Sequence, residues 1–224
     1  MTTLCIDTSF GASVAVVSTG GEILSVVEEN SSRVHTERLS VLISEALLKA
    51  GLPTPVKKAG LTQIIVGTGP APFTGLRAGL VTARVLGKVC DVPVRGVCSL
   101  DVIARQYLDN FAADQELVVV TDARRKEVYS AHYLANGPDD VTCLNGPQVA
   151  QASEIANQYR GKPVKFVGAG TEIYSDVFAS AVPVKPLQIA VAYRLVKTRL
   201  AAGETDFNTE PLYLRRPDVH TGKV

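Results

Sequence analysis

Two stretches of this chain open alike, and that shared opening limits its fold more than any other feature. TLCIDTS (Thr3–Ser9) is an apolar strand ending in an acid, and ASVAVVST (Ala12–Thr19) follows at once as a second strand. LVVVTDA (Leu117–Ala123) again ends in an acid and is followed by EVYSAHYL (Glu127–Leu134). Asp7 and Asp122 thus hold matching places, each closing a buried strand just before a hairpin. The repeat is weak in residue identity and fair in layout.

The elements between these strands follow from periodicity. EILSVVEEN (Glu22–Asn30) is a third strand, reached through Gly20 and Gly21. Thr36–Ala50 changes period: Leu39, Leu42, Ile43, Ala46 and Leu47 share one helical face. Thr36 is placed to cap this helix, Glu37 lies in its first turn, and Gly51 and Pro53 end it. A strand at Thr62–Gly69, a helix at Phe73–Cys90, a strand at Pro93–Val97 and a helix at Ser99–Leu108 come next. Beyond the second hairpin, Val164–Gly170 is a strand running into a glycine turn, and residues 188–202 form a terminal helix. The tail from Gly203 is irregular, with Leu212 and Leu214 expected against the body. The layout is similar to that of the actin, hexokinase and Hsp70 (ASKHA) class. That class implies an α/β duplicated two-lobed fold, here with lobes at residues 1–98 and 99–224 and the second reduced. An ordinary mixed α/β domain fits the layout equally well.

Composition removes several functions. Lys and Arg total 23 against 22 for Asp and Glu, so the chain lacks the basic excess of a free-standing nucleic-acid binder. Cys5, Cys90, Cys98 and Cys143 form no CxxC pair and read as free thiols. His35, His132 and His220 include no i,i+4 pair, so no pre-built metal site is expected. The opening MTTLCIDTS is not a signal peptide, and no apolar run approaches the ~20 residues of a membrane span. A cytoplasmic protein is expected.

A nucleotide cleft of the ASKHA kind needs two phosphate loops whose backbone N–H groups approach closely, which favours glycine. The first loop, Asp7 to Ser13, has the acid, Ser9 and the single Gly11; the second, Asp122 to Glu127, has the acid, no glycine and three successive cations. Asp7, Ser9 and Asp122 are therefore candidates for a vestigial nucleotide site, with Gly168 and Gly170 as a possible adenine support. Asp7 serves equally as a hydrogen-bonded acid closing a turn, and the two glycines as a strand-to-helix turn. Cys98 before a helix invites a lowered thiol pKa, but no local histidine supports a nucleophile there. A buried Cys98 beside a Ser99 N-cap is the simpler account.

The segment GTGPAPFTGLRAG (Gly67–Gly79) holds the main functional clue. It lacks the lysine and hydroxyl spacing of a P-loop, and Pro70 and Pro72 remove two donors. The helix it opens is apolar or small nearly all round, apart from a stripe of Arg77, Arg84 and Lys88. It reads as buried on two sides. Gly79, Ala83 and Gly87 repeat at i, i+4, i+8, a ridge that admits a close helix neighbour. On the preceding helix, Val41 and Leu48 lie opposite the main apolar face. Docking by another chain is the expected role. The interface candidates are Val41, Leu48, Leu76, Arg77, Gly79, Leu80, Ala83, Arg84 and Gly87. Covering by later elements of the same chain is the alternative.

These residues resemble the bacterial TsaB (YeaZ) family. GTGPAPFTGLRAG is similar to its GxGPGSFTGxRxG signature, with Ala71 where the family usually has Gly. IDTSFGASVAVV (Ile6–Val17), RVHTERL (Arg33–Leu39), TDARRKEVYSAHY (Thr121–Tyr133) and PLYLRRPDV (Pro211–Val219) resemble further family segments in the right order. The resemblance implies a non-catalytic subunit in making threonylcarbamoyladenosine next to the tRNA anticodon. It implies pairing with a homologous metal-containing transferase (TsaD), completed by a small P-loop ATPase (TsaE), with tRNA met indirectly through the complex. It implies no cofactor of this chain's own; ATP or ADP and metal belong to the partners or the shared interface. The paralogue's His-x-x-x-His pair has no counterpart in GVCSLDVIA (Gly96–Ala104). A homodimer is expected when the chain is isolated. A self-sufficient small-molecule kinase or ATPase is the alternative, which titration with magnesium-ATP separates. A metallopeptidase is a third, which elemental analysis addresses.

Overall fold

The structure, a computed structural model, describes residues 1–29, 35–178 and 181–215, without the side chains of 35–37 and 73. β1 (Thr2–Asp7) is buried along its whole length and pairs antiparallel with β2 (Ala12–Ser18), which pairs antiparallel with β3 (Ile23–Glu29). The helix α1 (His35–Lys49) then crosses over, and β4 (Leu61–Gly67) returns parallel to β1 on its free side. A second crossover, α2 (Phe73–Cys90), places β5 (Val94–Val97) parallel to β4. Tight turns give antiparallel neighbours and helical crossovers give parallel ones, and the sheet order is β3-β2-β1-β4-β5.

The same rule then runs again. After α3 (Ser99–Leu108), β6 (Glu116–Arg124) pairs antiparallel with β7 (Glu127–Asn136), which pairs antiparallel with β8 (Asp140–Gln151). α4 (Ala152–Gln158) carries the chain to β9 (Val164–Val167), parallel to β6. The order β8-β7-β6-β9 is that of the first sheet without its fifth strand. This is the duplicated actin/Hsp70-like fold with a reduced second lobe. The short α5 (Gly170–Ile173) and α6 (Val191–Ala201) complete the elements.

Strand alternation sorts the core into layers. Leu4 and Ile6 of β1 face α1 and α2, where they meet Leu39, Leu42, Leu76 and Leu80. Cys5 faces the other way, into a cluster with Leu100 of α3, Ala192 and Leu195 of α6, and Leu117, Val119 and Tyr133 of the second sheet. Val118 and Val120 face Ile155, Tyr159 and Phe178 beyond. The last helix therefore sits between the two sheets. Arg199 of α6 locks it there, binding Asp101 of α3 at 2.9 Å and Asp140 of β8 at 2.9 Å, while Tyr133 Oη donates to Asp101 at 2.8 Å.

β8 and α4 have no clear sequence signal. Asn145, Gly146 and Pro147 are residue types common in turns, yet they lie within an edge strand. An edge tolerates proline because one row of its backbone groups needs no sheet partner. The Thr36 cap, Glu37, His35 and His220 fall outside the described side chains. Among the described residues no helix is long and apolar enough to cross a membrane.

Candidate functional site

The end of β1 is tied into a knot. Asp7 is 1% exposed. Its Oδ1 accepts the Ser9 N–H at 2.6 Å, and its Oδ2 accepts the Ser99 hydroxyl at 2.5 Å. The Ser99 and Ser9 hydroxyls share a 2.9 Å bond, and Ser99 Oγ also accepts the Gly69 N–H at 3.2 Å. Ser99 is thus not the α3 cap expected from sequence. Cys98 holds the cap position without a side-chain capping bond, and the Ser99 hydroxyl is committed to Asp7. Gly67 permits the knot, because a Cβ there would overlap the Asp7 carboxylate.

Burial pushes the Asp7 carboxyl above the usual carboxylate range, and the bonds from Ser99 and Ser9 recover part of that shift. A raised carboxyl pKa in the folded state makes stability fall as pH climbs from the unfolded value, about 3.9, through the folded one. The loss is complete above the folded value and absent below the unfolded one. Asp7→Asn removes this dependence. The melting temperature of Asp7→Asn minus that of the wild type is therefore expected to increase between pH 3.5 and pH 7.5. A difference independent of pH contradicts this account.

The arrangement does not fit a metal–nucleotide site. The cavity beside Asp7, bordered by Phe10, Gly11, Ser13, Glu28, Pro186 and Leu187, holds about 20 Å³. Pockets for small ligands run from roughly 300 Å³. The Pro186–Leu187 segment lies across the first hairpin, with Ser13 Oγ donating to Leu187 O at 3.2 Å. The second hairpin repeats the first one's device: Asp122 Oδ1 accepts the Arg124 N–H at 2.9 Å and the Tyr174 hydroxyl at 3.0 Å. In each lobe the acid takes the N–H of the residue two positions on, inside the hairpin loop. Arg124, Arg125 and Lys126 all adopt left-handed φ values of 67°, 55° and 63°. Cβ atoms on Gly168 and Gly170 would lie 2.6 Å and 3.0 Å from the Val120 carbonyl oxygen, so these glycines let the β9–α5 turn approach β6. Burial and the Asp101 carboxylate hold the Cys98 thiol well above its ordinary range, opposite to the lowered value that a position before a helix invites. Among the described residues no group of three or more His, Cys, Asp or Glu is placed to hold a metal.

The α2 candidates separate into three groups, and most face inward. Leu76, Leu80 and Ala83 are 0–2% exposed in this chain's own core, so they form no outer contact surface. Gly79 faces Thr8 and Gly87 faces Val94, so the small-residue ridge seats α2 on its own loop and strand, not on another helix. Thr8 Oγ1 donates to Gly75 O at 2.9 Å beside that ridge. Arg84 binds Thr209 and Glu210 at 2.7–2.8 Å, and Arg77 Nε donates to Tyr213 Oη at 2.6 Å. Both arginines thus grip the chain's own tail. The helix is buried on one side, not two. Its outer side exposes Val81 (57%), Val85 (53%) and Val89 (45%), and α1, which packs against α2, exposes Val41 (53%) and Leu48 (63%). The three valines were missed from sequence although their i, i+4, i+8 spacing marks one stripe.

Comparison with known proteins places the chain. An uncharacterized protein of Mycobacterium tuberculosis is 36% identical over 97% of this chain and 93% of its own length. The tRNA threonylcarbamoyladenosine biosynthesis protein TsaB of Escherichia coli is 31% identical over 79% of this chain and 75% of its own. The chain belongs to the TsaB family. The wider family model described as TsaD, tRNA N6-adenosine threonylcarbamoyltransferase, matches residues 18–210. The structure of YeaZ from Pseudomonas aeruginosa shares the fold, with a TM-score of 0.76 and 23% identity over 95% of this chain and 99% of that one.

Proposed function

We propose that this chain serves the biosynthesis of threonylcarbamoyladenosine in tRNA as a non-catalytic subunit that docks a homologous, metal-containing TsaD-type transferase. The observation that carries the reading is the exposed seam on α1 and α2. Among the described residues eleven large apolar side chains are exposed, and five of them, Val41, Leu48, Val81, Val85 and Val89, lie on these two packed helices. A cluster of this kind marks an interaction site where scattered apolar residues do not. Kinship with the TsaD model supports the partner, since the paralogue would present equivalent helices and the two pairs would meet face to face.

In this reading the chain carries no cofactor, and ATP or ADP and the metal are held by the partners or at the shared interface. The closed Asp7 loop supports that assignment. A TsaE-type ATPase completes the complex in the cytoplasm, and tRNA is met through the assembly. The same seam would pair two copies of the isolated chain. The test is co-purification with the TsaD-type protein. Val85→Glu is expected to abolish recovery of the complex, because the partner's apolar face then meets an unpaired charge at the centre of the contact. A complex recovered at wild-type yield overturns the proposed seam.

A further inference from the structure

We infer that the segment from Phe207 to Arg215 is a strap that ties α2 to the second lobe's hairpin and holds that hairpin in its left-handed conformation. The segment contains no helix or strand of its own, yet it is fastened along its whole length. Gly96 N donates to Phe207 O at 2.9 Å, and the absence of a Cβ at Gly96 lets Asn208 lie against β5. Arg84 then clasps Thr209 Oγ1, Thr209 O and Glu210. Leu212 N donates to Thr68 O at 2.8 Å, inside the loop that leads into α2. Arg77 bonds the Tyr213 hydroxyl and lies 5.4 Å from its ring centre. Phe207 packs on the core between the sheets and Tyr213 on the core under α2.

The strap's far end changes lobes. Arg215 Nη1 donates to Ala123 O at 3.1 Å, and the guanidinium pairs with Glu127 at 3.5 Å. Those two residues bracket Arg124, Arg125 and Lys126, the three successive non-glycine residues at positive φ. L-residues avoid that region and hold it only where surrounding contacts impose it. Arg215 supplies such contacts on both flanks. Its own position is set by the clasps at Tyr213, Leu212 and Glu210, which hang from α2 and its loop. The hairpin's conformation is therefore coupled to α2 through a segment with no secondary structure. The inference concerns contacts within one chain and stands apart from the docking reading.

Amide hydrogen exchange on the full isolated chain tests it. Arg215→Ala is expected to speed exchange across residues 123–128 by about tenfold or more, the factor that one hydrogen bond from a charged group supports. Arg84→Ala cuts the strap on the other lobe and is expected to speed the same hairpin amides, while the amides of β1 and of residues 117–121 in β6 keep wild-type rates. Arg84→Lys, which keeps the charge next to Glu210, is expected to fall between the two. Loosening confined to residues 207–213 in Arg84→Ala, or an unchanged hairpin in Arg215→Ala, overturns the coupling.

Discussion

Leu80→Glu is expected to leave the chain unfolded, while Val85→Glu, five residues on along the same helix, is expected to fold normally. Leu80 is 2% exposed and packs among the side chains of α1, β1 and β4. Replacing it removes about 2–5 kcal/mol of packing and forces a carboxylate in among apolar side chains. A buried unpaired charge costs several kcal/mol more. Together these approach the total stability of a domain, about 5–15 kcal/mol. Val85 is 53% exposed, and surface changes away from special features stay within about 0.5 kcal/mol. Circular dichroism and a urea titration check both. A folded Leu80→Glu would mean that α2 does not seat its inner face on the first sheet. The pair also decides how the docking test is run: failure of Leu80→Glu to bind a partner says nothing about the interface.

How far the sequence could be read follows from the range of each contact. The strand–acid–hairpin unit is local, so its repetition at Asp7 and Asp122 is enough to indicate the duplicated sheet. α2 and α3 end where their periodicity ends. Orientation is another matter. α2 is apolar on nearly every side, so periodicity cannot choose between the face of Leu76, Leu80 and Ala83 and that of Val81, Val85 and Val89. The choice is made by Thr8, which fits only against Gly75 and Gly79. Thr8 lies in a loop 67 residues earlier. Arg84 likewise reads as an interface candidate, because its partners within the chain stand 125 and 126 residues away. Ser99 has every local feature of a cap, and the carboxylate that takes its hydroxyl lies 92 residues away.

Gly67→Ala is expected to lower stability by about 3 kcal/mol, combining overpacking with the disruption of a buried hydrogen-bonded group. The added Cβ would overlap Asp7 Oδ2 and lie 2.5 Å from Asp7 Cγ and 2.8 Å from Ser99 Oγ. A flexible surface side chain would swing aside at little cost. Asp7 is not free to do so, because Ser9 N and Ser99 Oγ fix both of its oxygens and Ser99 Oγ is fixed in turn by Gly69 N. Any shift that relieves the overlap therefore breaks a bond to a buried carboxylate. The damage spreads to the start of α3, since Ser99 N donates to Gly69 O at 2.8 Å and the loop and helix move together. Gly20→Ala is the control: its Cβ would sit 3.6 Å from Ser18 Oγ, an ordinary contact, and a change within about 0.5 kcal/mol is expected. Urea denaturation of the two variants measures the contrast. Equal small losses would show that Asp7 is held loosely, and the closed knot at the end of β1 would then no longer account for the lack of room for a ligand there.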